Sequence, residues 1–327
     1  ESRDRVALPV TASHVHVSRW VPAFAGMTVK KLALAAALAS TSFAALAQDV
    51  LIRNATVHTA GTQGTLKNAD VLVRNGVVQA VGTALAAPAA ATVVEADGRP
   101  LTPAFFGGIT EIGIEEVSGE SSTVDAAVTL EDQPMRPEFD VTLAYNPASV
   151  VIPVARVEGL GWTTLAATPT GGGSFIGGKG GVVRVDGSLD PVGGRGLFIT
   201  RGGDGASLTG GSRAAQWMIR DQLVDELRGR IPQDSQFALL TPAGRTALAR
   251  FIGGGGRIAV NIHRAADITR LLRWSTQHGV KVALVGATEA WKVAPQLAAA
   301  GVTVFVDPLV NLPGDFDQLG ARMDNAA

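Results

Sequence analysis

The sequence has no cysteine, which excludes disulfides, thiolate metal centres and cysteine nucleophiles together. It also lacks a dominant charge: the net value is −1, and the 28 basic residues are scattered rather than massed. No polyanion-binding footprint results, so nucleic acid is not an expected partner. Histidine is scarce, with five in 327 residues, so any imidazole site must be assembled from very few positions. Absent too, in any supporting context, are a G-x-S-x-G elbow, an H-E-x-x-H pair and a G-x-G-x-x-G turn after a strand. Serine hydrolase, zincin and dinucleotide chemistry lose their usual anchors.

Long apolar runs are missing as well. The one candidate, within MTVKKLALAAALASTSFAALAQD, is broken by Ser40, Thr41 and Ser42, whereas a spanning helix needs about 20 apolar residues. It has instead the layout of a secretory signal: Met27, a charged Lys30-Lys31 region, the apolar Leu32 to Ala39, and an Ala45-Leu46-Ala47 cleavage site. The expected organisation is an upstream non-domain segment at 1–26, a signal peptide at 27–47, and a mature chain from Gln48 in the periplasm or outside the cell. No membrane span is expected after signal removal.

What is present is a globular composition, 46% hydrophobic and 17% charged, in a chain long enough for one large domain or two ordinary ones. From Val50 the pattern is of short β-branched runs, VLIRNATV, ADVLVRNGVVQAVG and ATVVEADG. Alternation in Val71, Val73 and Val77 around Asn75-Gly76 predicts a hairpin, because Asn-Gly accepts the positive φ of a type I′ turn. Residues 48–102 are thus a small β unit.

After Pro103 the texture changes. RIAVNI, KVALVG and VTVFVDP are predicted strands, separated by helices in DITRLLRWSTQHG and TEAWKVAPQLAAAG. Asp267 is the expected N-cap of the first helix, with Ile268, Leu271, Leu272 and Ser275 on its apolar face and Gly279 as its stop. Pro295 predicts a kink in the second, or a start later than Thr288. Residues 212–229 predict an amphipathic helix with Trp217, Ile219 and Leu223 toward a core. Two strand-helix units in about 50 residues imply parallel strands with right-handed crossovers, which a doubly wound sheet and a (β/α) barrel both satisfy.

Three features bear on chemistry. Gly173 to Lys179 has the outline of a P-loop, but Gly180 replaces the Mg²⁺-binding hydroxyl and VVRVDG reads as a strand where a helix should begin. A tightly turned loop is the better expectation. Glu111 lies in an acidic series with Glu115, Glu116 and Glu120; if ITEIGI is a strand, Glu111 faces opposite to Ile112, although such a run also suits a solvated surface. His263 follows RIAVNI, at the strand end where α/β sheets and barrels build active sites. A loop histidine bonded to backbone would occupy the same place.

On these residues the chain, from about Val50 to its end, resembles the amidohydrolase superfamily, especially its secreted, imidazolonepropionase-like members. VLIRNATVHTAGTQGTLKNADVLVRNGVVQAVG and VVEADGRPLTPAFFGG are similar to that family's β-sandwich strands leading into its barrel, and IHRAADI and LVGATEAWKVAPQLAAAGVTVFVDP to its fifth to seventh strand-helix units. The resemblance implies a small N-terminal β-sandwich and a (β/α)8 TIM-like barrel over 103–327, incomplete because about 225 residues compare with roughly 250 for a full barrel. The last strand-helix unit, with the family's final aspartate, is then expected beyond residue 327.

It also implies one or two divalent metal ions, zinc or manganese, held by an H-x-H pair and further histidines to activate water against a C–N bond. Here the family's histidine positions fall on Ile109, Glu111, Asn261 and Gly286. The remaining candidates are Glu111 and His263 as catalytic groups, and Glu111, Asn261 and His263 as weak ligands for a hard cation. The implied function is hydrolysis of a C–N bond in a cyclic amide or a small amide or dipeptide-like substrate, with an altered metal site. The alternative is a non-catalytic periplasmic binding protein on a degenerate barrel. A third possibility is a fragment without activity of its own, since open sheet edges favour aggregation.

Overall fold

A computed structural model describes residues 48–128, 135–168, 174–202, 212–307 and 313–325. The segments 1–26 and 27–47 (the expected signal) lie outside the described residues, as does Gly173 of the P-loop outline. No helix among the described residues is long and apolar enough to cross a membrane. The chain divides into two compact units between Pro103 and Ala104.

The first unit holds β1 (Val50–His58), β2 (Thr65–Arg74), β3 (Val77–Gly82), β4 (Thr92–Glu95) and β5 (Pro100–Leu101). They form one sheet, ordered β3-β2-β1-β4, with β5 also pairing β1. The hairpin between β2 and β3 turns on Asn75 and Gly76, at φ 50° and 75°, the left-handed conformation that a type I′ turn requires. Ala55, Val57, Ala69 and Val71 bury one face, whereas Val77 is exposed, so the alternation stops at the turn. The expected sandwich is represented among the described residues by this single layer.

The second unit is a sheet of seven strands in the order β12-β11-β10-β9-β8-β7-β6. In chain order its elements are β6 (Phe105–Thr110), α1 (Val151–Val157), β7 (Leu160–Leu165), β8 (Ile176–Arg184), β9 (Val192–Thr200), α2 (Arg213–Leu227), α3 (Pro242–Ile252), β10 (Arg257–Ile262), α4 (Ala265–His278), β11 (Lys281–Gly286), α5 (Ala294–Ala299) and β12 (Thr303–Phe305). Strands β9 to β12 run parallel, as the alternating pattern requires, and β6 pairs β7 in parallel. In between, β7-β8 and β8-β9 are antiparallel.

That inversion corrects the reading of the glycine-rich segment. From Ile176 onward it is strand, not loop, because its glycines let neighbouring backbones close in: a Cβ on Gly177 would stand 2.6 Å from the Ala167 carbonyl oxygen. Lys179 belongs to this strand and lies 3.5 Å from Asp140 Oδ2, so it serves an internal ion pair rather than a phosphate loop.

The main core lies between the parallel strands and their helices. Strand β10 alternates, burying Ile258, Val260 and Ile262 against Ile268, Leu271 and Trp274 of α4. Each such side chain contributes about 1.5–3 kcal/mol of transfer free energy. The same alternation turns Asn261 to the other face of the sheet. Helix α4 starts at Ala265 with Arg264 at its N-cap and no capping side chain, so Asp267 sits inside its first turn rather than before it. There a carboxylate still complements the helix dipole. Leu272 is half-buried and Trp274 takes the core place, while Gly279, at φ 66°, ends the helix. The second predicted helix begins late, at Ala294 with Pro295 in its first turn, after a 3-10 turn over Ala290–Val293. Strand β6 stops at Thr110, so ITEIGI is not a continuous strand and Glu111 begins a turn in which its carbonyl accepts from Ile114 and Glu115.

Candidate functional site

The parallel strands β10 and β11 end side by side, with Ile262 opposite Gly286. At this end lies a cavity of about 800 Å³, within the range of small-molecule sites. Its walls come from the two edge strands, including Ile109 of β6 and Phe305 of β12, and from Asn261, His263, Gly286 and Thr288 at the ends of β10 and β11. Asp307, Gln318, Arg322 and Asn325 complete the polar part of the lining.

Asn261 and His263 are two residues apart along an extended chain, which puts both on the face opposite the helix-packed Ile262. Nδ1 of His263 is 2.7 Å from the Thr288 hydroxyl oxygen. Burial holds the imidazole below its usual pKa, with the negative charge of Asp315 acting the other way. The ring is therefore neutral at neutral pH, with Nε2 the nitrogen left for chemistry.

Gly286 explains how the ring fits. A Cβ there would stand 2.6 Å from His263 Cε1 and 3.3 Å from both ring nitrogens, and the residue sits at φ 75°, where a side chain is strained. His263 thus occupies the space in which a side chain at 286 would begin.

Glu111 is not among the cavity-lining residues. Its pKa is raised by burial, by a side-chain hydrogen bond with Glu115 and by the charge of that neighbour. The structure therefore brings Asn261 and His263 together and leaves Glu111 in a carboxyl pair with Glu115, off the cavity lining. Thr288, Asp307, Arg322 and Asn325 were not anticipated. Thr288 lies two residues beyond the end of β11, the same strand-end signal that singles out His263.

A Thermotoga maritima amidohydrolase has a similar crystal structure, with a TM-score of 0.67 and 23% identity over 84% of this chain and 74% of that one. The chain shares the fold of that structure. An Arthobacter aurescens triazine hydrolase gives a TM-score of 0.35 and 15% identity, covering 79% of this chain and 64% of its own. A further amidohydrolase gives 0.39 and 14%, covering 85% and 72%. No protein-family model and no curated protein sequence matches.

The donors at this end of the sheet do not fit the metal that the resemblance implies. Of the positions implied for its histidines, Ile109 and Gly286 line the cavity with no donor side chain and Asn261 with an amide. The lining carries one imidazole, whose Nδ1 is engaged by Thr288, and one carboxylate, Asp307. Among the described residues no group of three or more histidine, aspartate or glutamate side chains is arranged to hold a metal ion. Zinc and manganese sites need such a set.

Proposed function

We propose that this chain carries the substrate cavity of a hydrolase that cleaves C–N bonds in cyclic amides or small amide and dipeptide-like molecules, using His263 and Asn261 in place of a metal centre. The observation that carries the reading is the shared cavity of these two side chains at the C-terminal end of β10, where α/β enzymes assemble their chemistry. The amidohydrolase likeness of the fold supports the choice of bond.

Neutral His263 takes a proton through Nε2 from a water whose oxygen bonds to the carbonyl carbon. The Asn261 amide N–H donates to the oxygen on which negative charge collects. The imidazolium then returns its proton to the leaving nitrogen as the C–N bond breaks, giving a carboxylic acid and an amine. The Asn325 amide oxygen, buried without a hydrogen-bond partner, offers an acceptor for the rest of a polar substrate. Glu111, held with Glu115, takes no part in this step. The signal-like segment Met27 to Ala47 supports export, so the substrate is one met in the periplasm or outside the cell.

The test is release of primary amine from a panel of cyclic amides and dipeptides by the purified full chain, compared with His263→Ala. Amine release lost in the variant supports the reading; no release from any substrate contradicts it. A second reading, a non-catalytic small-molecule binder, is favoured by one observation: Ile109 and Gly286 give the cavity no donor where the resemblance implies ligands. Ligand-induced thermal stabilisation without hydrolysis is its signature.

A further inference from the structure

The loops that follow β10 and β11 are stitched together. The Glu289 N–H donates to the His263 carbonyl at 2.9 Å, and the Glu289 carboxylate accepts the Ala265 N–H at 2.9 Å. Ala290 donates to the Ala287 carbonyl at 2.8 Å, closing the turn that carries Thr288. Thr288 is 5% exposed and Ala287 fully buried, so the hydroxyl is delivered from a fixed backbone. Its oxygen meets His263 Nδ1 at 2.7 Å, while Gly286 leaves room under the ring.

A hydroxyl can take either side of such a bond. If Thr288 donates, the neutral ring carries its proton on Nε2 and presents a donor to the cavity. If it accepts, the proton is on Nδ1 and Nε2 presents a lone pair, which a base requires. We propose that Thr288 is the positioning residue of this site: its Oγ1 accepts from His263 Nδ1–H, and with Gly286 it fixes both the tautomer and the seat of the imidazole, leaving the Nε2 lone pair to the cavity. This rests on the hydrolase reading, because only a base needs that tautomer.

The tautomer is read without substrate, from long-range ¹⁵N–¹H correlations of the imidazole in the full chain at neutral pH. The expected result is an Nδ1–H ring in the native protein and in Thr288→Ser, and a ring shifted toward Nε2–H or averaged in Thr288→Val. An Nε2–H ring in the native protein, or the same spectrum in Thr288→Val, overturns the proposal. On a hydrolysed substrate, Thr288→Val should lower kcat about 10- to 100-fold with KM within about twofold, the scale of a mispositioned group, and Thr288→Ser should restore it. Equal kcat in Thr288→Val and native protein also overturns the proposal. Failure of the hydrolase reading is seen separately, as no amine release by the native chain.

Discussion

The His263 ring lies over Gly286, 2.6 Å from where a Cβ on that residue would be. Two positions at adjacent strand ends therefore compete for one volume: an imidazole can come from 263 or from 286, not from both without rearrangement. This one exclusion ties the glycine at 286 to the cavity chemistry of the neighbouring strand.

Substituting Gly286 by alanine should cost about 1–3 kcal/mol, because the new Cβ meets the ring and the residue is held at positive φ. Denaturant midpoints of Gly286→Ala against Gly286→Ala/His263→Ala separate the two causes. The double variant should recover the part owed to the clash. Equal stability of the native protein and Gly286→Ala would contradict the packing described.

Much of this was legible in the sequence because the signals were local. RIAVNI, KVALVG, Gly279 and Asn75-Gly76 announce strands, a helix stop and a hairpin through residue type and spacing alone. VVRVDG announced the end of β8, but the glycine-rich first part of that strand was not legible: its glycines answer to the approach of Ala167 and Leu165 across the sheet, which no local pattern encodes. The site divides the same way. His263 is marked by its strand end, whereas its partner Thr288 is 25 residues away and is joined to it only by the pairing of β10 with β11. Glu111 drew attention by charge, and tertiary packing gave it Glu115 instead of the cavity.

Glu226 is fully buried, pairs with Arg245 at 2.8 Å, and accepts the N–H groups of Leu239 and Leu240. Removing one partner of such a pair strands the other charge, so Glu226→Ala should lose about 3–5 kcal/mol. Chemical denaturation measures this directly. A loss below about 1 kcal/mol, the scale of an exposed pair, would show that the site is wet.

Asp140 is opposed by burial, but hydrogen bonds from Thr142 and the charges of Arg195 and Lys179 outweigh it and hold the carboxyl below its ordinary pKa. A depressed folded-state value contributes stability above the ordinary aspartate range, and that contribution is lost as pH falls through the folded value. Asp140→Asn should therefore lower stability at neutral pH and flatten the acid limb of the stability curve. Parallel curves for the two proteins from pH 7 to pH 3 would contradict the assignment.

Glu111 behaves in the opposite sense. Burial first, then its bond and charge contact with Glu115, raise its pKa, so the folded state prefers the proton. That preference is fully present below the ordinary glutamate value and disappears as pH rises through the folded one. Glu111→Gln should match the native protein near pH 4 and exceed it in thermal stability near pH 8. A less stable variant at pH 8 would mean the charged form is the one the fold holds.

The proposed C–N hydrolysis is centred on His263 and independent of a metal ion. Its most direct measurement is the initial rate of amine release from a hydrolysed substrate, before and after exhaustive chelation with metal content quantified, in native protein and His263→Gln. The expected result is an unchanged rate after chelation and a loss of about 10²-fold or more in the variant, the scale of general-base catalysis. A rate that vanishes with the metal and returns on adding zinc or manganese, or one that His263→Gln leaves intact, would contradict it.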